Sequence, residues 1–434
     1  MNTSTPPSGD GKPDAAVVRK SLIAAGLGQV LEWYDWLIFA LLAGVISKQF
    51  FPATDPTAAL LSTLVVFGIG FFFRPLGGIL LARFTDRRGR KAGMILTILM
   101  MSGGSLLIGI APTYQQAGLL APLLLVVARI MQGLSAGGEL PAVTAYITEL
   151  APANKRGQYG SLVWVTANTG SLLATLTIPL MNSTVGAPAV AEWAWRIPFI
   201  VAAALGLFTL FMRSGASETE AFMDAVEARR GKATGGVREL FSNHLPDVAR
   251  LFCISALVGV WYYVFASYLP VYQVSRGMNP QDAFQSSICA IILFTCTLPF
   301  LGRWSDLFGR RKVLLAFTGL ATLAAVPLFS FLEPTFWSQF AVQLAALFIF
   351  GLYAAVGPAT MAEQFPTSVR ALGIGLPYGL AVAAFGGSAP YVIQKLKAEN
   401  LTHLFNWYLM AIAFVALIAT LSIKERRTQD LSDV

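Results

Sequence analysis

The feature that most restricts this fold is the recurrence of apolar runs of about membrane-spanning length. A bilayer core of about 30 Å needs roughly 20 apolar residues of helix. Twelve runs approach or exceed that length, near 22–46, 58–82, 92–111, 119–140, 159–183, 195–212, 249–273, 284–302, 313–332, 337–361, 372–393 and 404–423. Composition agrees: only 12% of the 434 residues are charged, against about 25% in soluble domains. The expected fold class is an all-α membrane protein of 12 transmembrane helices. Residues 1–21 are polar and Pro-rich, with no short apolar stretch and cleavage site behind them, so the first run is expected to be a retained helix.

Twelve spans put both termini on one side, and the distribution of Lys and Arg selects that side. Loops on the terminal side carry Arg83, Arg87, Arg88, Arg90 and Lys91, then Lys155 and Arg156, then Arg229, Arg230, Lys232 and Arg238, then Arg303, Arg310, Arg311 and Lys312. Opposite loops at 112–118, 185–194 and 333–336 have none; Lys395 and Lys397 are the main exception. Both termini are therefore expected in the cytoplasm. The net charge of +8 is spread over short loops, which suits anionic lipid and argues against nucleic acid. The longest polar segment, 213–248, divides the chain. Ser217 and Glu220 have capping-box spacing there and Gly231 is a stop, which predicts a short surface helix. The expected organisation is a tail (1–21), a six-helix bundle (22–212), the middle loop (213–248), a second bundle (249–423) and a tail (424–434).

The two halves repeat. "RFTDRRGRK" at 83–91 holds Asp86, Gly89 and Arg90, and "RWSDLFGRRK" at 303–312 holds Asp306, Gly309 and Arg310 at the same spacing. A second pair shares that register: Glu149, Pro152 and Arg156 after the fourth run, Glu363, Pro366 and Arg370 after the tenth. Charge placement explains the extra basic residues, but it requires neither the Asp nor the fixed spacing. Two matched motifs in equivalent places imply parallel six-span halves.

These loops resemble the signature motif of the major facilitator superfamily, and "RIMQG" (129–133) resembles its span-4 motif. "LEWYDW" (31–36), "FFFRPLGG" (71–78), "GLSAGGE" (133–139), "WRIPF" (195–199) and "FPTSVRALGIGLPYG" (365–379) resemble the metabolite:proton symporter branch. That branch includes bacterial permeases for α-ketoglutarate, citrate, shikimate and osmolytes. The resemblance implies two pseudo-symmetric six-helix bundles working by alternating access in a bacterial inner membrane, with a monomer as the functional unit. It also implies that the paired loops latch the cytoplasmic side against acidic partners, with Glu139 and Glu149 as candidates in the first half and Glu363 in the second. Asp86, Gly89, Arg90, Arg156, Asp306, Gly309, Arg310 and Arg370 complete the candidate gate.

Four charges fall at membrane depth: Glu32, Asp35, Arg74 and Arg129. Unpaired, they would cost about 10 kcal/mol together on insertion scales. Helical rise puts all four near the midplane, where transporters of this fold bind substrate. Burial favours a neutral carboxyl and a neighbouring guanidinium favours the ionised one. An Arg able to leave a carboxylate for a substrate anion would therefore link binding to protonation. Asp35 is the expected proton carrier with Arg129 as its partner, and Glu32 is the rival carboxylate. A permanent structural pair is the plainer alternative. Arg129, Arg74, Gln29, Gln132, Tyr262, Tyr263 and Tyr378 form the candidate binding set.

A forked guanidinium favours an anionic group. The expected function is proton-coupled uptake of a small organic acid, foremost a dicarboxylate such as α-ketoglutarate; citrate, a shikimate-like acid or a zwitterionic osmolyte is the alternative. A metabolite sensor is a further class, disfavoured by a short middle loop without a signalling domain. No nucleotide-binding loop, zinc-protease motif or nucleophile elbow occurs, which argues against an enzyme and for a proton gradient rather than a cofactor as the energy source. Two histidines leave little for a metal site, and Cys253, Cys289 and Cys296 are expected to be packing residues.

Overall fold

The structure, a computed structural model, describes residues 15–51, 55–88, 90–150, 155–214, 237–366 and 369–423. The helix expected within 217–231 lies outside them, as do residues 1–14 and 424–434; residues 15–21, expected in the N-terminal tail, form the start of the first helix. The main helices are α1 (Ala15–Leu41), α2 (Pro56–Arg88), α3 (Arg90–Ile110), α4 (Leu120–Leu150), α5 (Arg156–Thr184) and α6 (Ile197–Ser214). They continue as α7 (Leu245–Ser275), α8 (Pro280–Phe308), α9 (Arg310–Ser330), α10 (Phe336–Gln364), α11 (Leu372–Ala398) and α12 (Thr402–Leu421). α1 breaks at Leu42 and resumes as Ala43–Phe50, bent by 63°.

Among the described residues, nine helices are long and apolar enough to cross a membrane, and the bent α1 makes a tenth. α3 and α6 carry shorter apolar stretches, Ile95–Ile110 and Ala194–Leu210. The sequence expectation of twelve spans therefore exceeds this count by two.

Small residues let the backbones approach closely. A Cβ on Gly133 would sit 2.0 Å from the Gly70 carbonyl oxygen, and one on Gly137 would sit 1.9 Å from that of Arg74, so α2 and α4 touch backbone to backbone. Prolines lie inside α2, α5, α8, α9, α10 and α11. Each removes a backbone donor and leaves a carbonyl to be met otherwise. α7 and α11 also widen into π-helix at Tyr263–Tyr268 and Val382–Gly386. Gln343 Nε2 donates to the Phe265 carbonyl inside the first of these at 2.9 Å. Large apolar side chains such as Phe300, Leu323, Phe331 and Trp337 stay exposed on the outside of the helices, as a lipid-facing belt requires. Cys289 and Cys296 are exposed on α8 rather than packed, which corrects the sequence expectation for them.

α1 to α6 pack mainly on one another, and so do α7 to α12. The two sets meet chiefly where α5 packs on α8 and α10, and where α2 packs on α11. Shifting each number by six converts the α5–α8 pair into the α11–α2 pair, so the interface has the symmetry of the repeated motifs.

Candidate functional site

The midplane charges converge on one indole. The guanidinium groups of Arg74 (α2) and Arg129 (α4) each lie 4.0 Å from the ring centroid of Trp36 (α1). Gly70 permits the approach, since a Cβ there would stand 2.7 Å from the Trp36 ring and 3.1 Å from the Arg129 carbonyl. Arg74 Nη2 is 3.6 Å from Glu32 Oε1. A cation over a buried aromatic face gains about 2 kcal/mol, which partly offsets the cost of burying it.

Asp35 is held differently from the direct pair expected with Arg129. Its Oδ1 accepts from Ser105 Oγ at 2.6 Å and its Oδ2 from Gln132 Nε2 at 2.5 Å. The Gln132 Oε1 accepts from Arg129 Nη1 at 2.8 Å. Gln132 thus stands between acid and base, and Arg129 reaches Asp35 through it. The reason is helical: Arg129 and Gln132 are three apart on α4, so both face α1 and the shorter side chain takes the carboxylate.

Several buried donors remain without a hydrogen-bond partner among the described residues: Arg129 Nε and Nη2, Arg74 Nε, the Nε1 atoms of Trp33, Trp36 and Trp164, and the Tyr263 hydroxyl. Both amide atoms of the buried Gln29 are unpartnered too. An unmet buried donor costs roughly 1–3 kcal/mol, so such a cluster marks a place where another molecule can supply acceptors.

The second half contributes aromatics. Tyr263 lies within electrostatic range of Arg74, Glu32 and Arg129, and Tyr378 within range of Tyr263, Arg74 and Glu32. Trp33 stacks on Tyr263 with centroids 6.0 Å apart and meets Tyr262 edge-on at 5.0 Å. Tyr262 is committed elsewhere: its hydroxyl donates to Asn168 Oδ1 at 3.2 Å and lies 3.1 Å from Ser171 Oγ, tying α7 to α5. Sequence reasoning missed Trp33, Trp36, Ser105, Asn168 and Ser171. The signal for Ser105 was present in "MMSGGS", which puts Ser102 and Ser105 three apart on one helical face.

The second-half loop lies at the interface between the halves. Asp306 accepts from the backbone N–H groups of Gly157 at 2.9 Å and Gln158 at 3.0 Å, and pairs with Arg310 Nη1 at 2.9 Å. Gly157 and Gln158 open α5, where helical N–H groups have no partner of their own and the dipole favours an anion. Glu363 Oε1 lies 3.7 Å from Arg310 Nε and 3.9 Å from Arg156 Nη1, the latter reaching across the halves. Gly309 has φ +93°, a left-handed conformation that turns α8 into α9. Arg370 Nε donates to the Ala362 and Phe365 carbonyls at 2.9 and 3.2 Å. Of the first-half candidates, Gly89 and the side chains of Asp86, Arg90, Glu139 and Glu149 lie outside what the structure describes. Among the described residues, no cluster of His, Cys, Asp and Glu could hold a metal ion.

Residues 20–251 match the family described as sugar (and other) transporter. The chain is 36% identical over 409 residues to the α-ketoglutarate permease of Escherichia coli K12, covering 94% of each chain. The chain belongs to the major facilitator superfamily. It is a multi-pass membrane transporter and not an enzyme. It is also 33% identical over 402 residues to a citrate-proton symporter of Salmonella typhi, covering 91% of each. To a proline/betaine transporter of Salmonella typhimurium it is 30% identical over 430 residues, covering 96% of this chain and 86% of that one. In fold it is similar to the proton:xylose symporter XylE bound to 6-bromo-6-deoxy-D-glucose. There the TM-score is 0.77 at 18% identity, covering 97% and 98% of the two chains.

Proposed function

We propose that this transporter carries a small organic anion together with a proton, foremost a dicarboxylate such as α-ketoglutarate. The carrying observation is the set of unpartnered donors on Arg129, Arg74, Tyr263 and the tryptophans, all able to serve an oxyanion. Charge balance supports coupling. Glu32 and Asp35 offset Arg74 and Arg129 when all four are ionised. A proton on Asp35 leaves one positive charge in excess in a buried site, and an anion then becomes the favoured guest. Arg129 would turn from Gln132 to the substrate, releasing the relay that holds Asp35. The transporter needs no cofactor on this reading, since the proton gradient supplies the energy. All twelve helices cross the bacterial inner membrane, both termini are cytoplasmic and the monomer is the working unit. The halves rock about the midplane while the Asp306 and Asp86 loops latch the cytoplasmic side. The similarity to an α-ketoglutarate permease and a citrate-proton symporter supports the substrate class.

A second reading has its own observation. Trp33, Trp164, Tyr262 and Tyr263 cluster with centroids 5.0–6.0 Å apart, and aromatic faces suit a quaternary ammonium. A betaine-like zwitterion would use them. A thermal-shift screen of the purified protein separates the two. At 100 times its Kd a ligand stabilises by about 2.7 kcal/mol. α-Ketoglutarate or citrate is expected to raise the melting temperature, and an imposed proton gradient to drive uptake of the same acid into proteoliposomes. Stabilisation by betaine or proline alone would overturn the organic-acid reading.

A further inference from the structure

Beside Asp35, a cleft whose lining includes neither Trp36 nor Arg129 enters the first bundle between α1, α3, α4 and α6. Asp35, Ser102, Ser105, Ser135, Ala202 and Thr209 are among its lining residues. On α1 the lining runs from Asp35 to Gly28, on α3 from Ser105 to Ile98, and on α6 from Ala202 to Thr209. Each stretch is seven residues, about 10 Å of helix, and each leads toward the end of the bundle that carries the Arg- and Lys-rich loop. By volume the cleft admits roughly two or three waters.

Its chemistry is specific. Asp35 is the sole titratable group on the lining. The charged and titratable groups near it all lie elsewhere: Arg129 across Gln132, Glu32 and Tyr34 on its own helix, with the Tyr34 hydroxyl 3.3 Å from Thr177. Ser102 is buried, and its Oγ has no hydrogen-bond partner among the described residues. It sits one turn from Ser105, which already donates to Asp35. Ser135 and Thr209 spend their protons on the carbonyls of Thr97 and Leu205 and keep lone pairs for a further donor. A water in the cleft would find the partners it needs in Ser102 and Asp35.

We infer that this cleft is the route by which the Asp35 carboxyl exchanges its proton with the Arg- and Lys-rich side, separate from the central path of the substrate. The inference rests on the reading of Asp35 as the proton carrier. The proton leaves the Asp35 carboxyl for a cleft water, which becomes hydronium and passes it outward, and Asp35 is left as carboxylate. While the Arg129–Gln132 relay is made, it covers Asp35 on the central side, so the carboxyl is reached from the cleft alone.

The test is infrared spectroscopy of the full-length protein at acidic pH. The C=O band of protonated Asp35 is assigned by its loss in Asp35→Asn, and its hydrogen–deuterium exchange is timed after a switch to D2O. Ala202→Leu fills the cleft and is expected to slow that exchange at least tenfold, while Ala202→Ser leaves it fast. If Ala202→Leu does not fold, Thr209→Leu at the other end of the lining serves instead. An unchanged exchange rate in a folded filling variant overturns the route while leaving Asp35 as carrier. A spectrum that Asp35→Asn does not alter removes the proton carrier itself, and the route with it.

Discussion

Arg129 has three obligations: one nitrogen on Gln132, its face on Trp36, and two nitrogens left over. A lysine could keep the charge and lose the rest, because an ammonium offers neither the plane nor the fork. One charge-assisted hydrogen bond is worth about 1.5–3 kcal/mol, or about 10–100-fold in affinity. Arg129→Lys is therefore expected to weaken substrate binding by that factor in a titration of the purified protein, with a smaller loss of fold stability. The four buried charges were legible in the sequence, because a charge inside an apolar run stands out. Their pairing was not. Spacing along one helix does not say which of Arg129 and Gln132 reaches another helix first, and the direct Asp35–Arg129 pair gave way to a bridged one. Trp36 went unread for a related reason: an aromatic in an apolar run looks like packing until the cations above it are located.

At the scale of helices, the α2–α4 contact leaves no room for a side chain. Gly133→Ala would force a Cβ to within 2.0 Å of a carbonyl oxygen that belongs to backbone and cannot swing aside. Overpacking typically costs about 1–3 kcal/mol. A lowered melting temperature with α2 and α4 pushed apart is expected, and since both helices position the guanidinium groups, substrate affinity should fall with it. The latch between α5 and α8 makes a different prediction. Asp306→Asn keeps the shape but gives up charge-assisted bonds to two backbone N–H groups and to Arg310. The closed face is expected to weaken by about 2 kcal/mol, read as faster labelling of cysteines introduced near Gly157 and slower net transport with binding intact. Labelling at the native rate would reduce the loop to an anchor. Asp306, Gly309 and Arg310 could be picked out by their fixed spacing. Their receiver could not, because a backbone N–H at the start of a helix 149 positions away has no letter of its own.

For the whole molecule, contacts around Asp306 and Glu363 cross the halves, and the charges at the centre balance only while Asp35 is ionised. If protonated Asp35 favours the anion, apparent affinity should be flat at low pH. It should weaken by at most tenfold per pH unit once the pH exceeds the value at which Asp35 loses its proton. Substrate titrations across pH check this. Asp35→Asn is expected to flatten the curve and to abolish proton-driven accumulation while sparing exchange; full accumulation by that variant would remove the assignment. The division into halves was visible in the repeated motifs.

The latch between Asp306 and α5 has an asymmetry that bears on how such a protein drifts over generations. One side depends on a single carboxylate that any of several base changes would erase. The other side is peptide backbone, present whatever residue stands at 158 and removable there only by proline. Mutation on the α5 side therefore breaks this contact by fewer routes than it would in a pair of side chains. Position 158 can therefore vary while its bond endures, whereas position 157 is held to glycine, since a Cβ there would stand 2.0 Å from Ser305 Oγ and 2.8 Å from the Gly302 carbonyl oxygen.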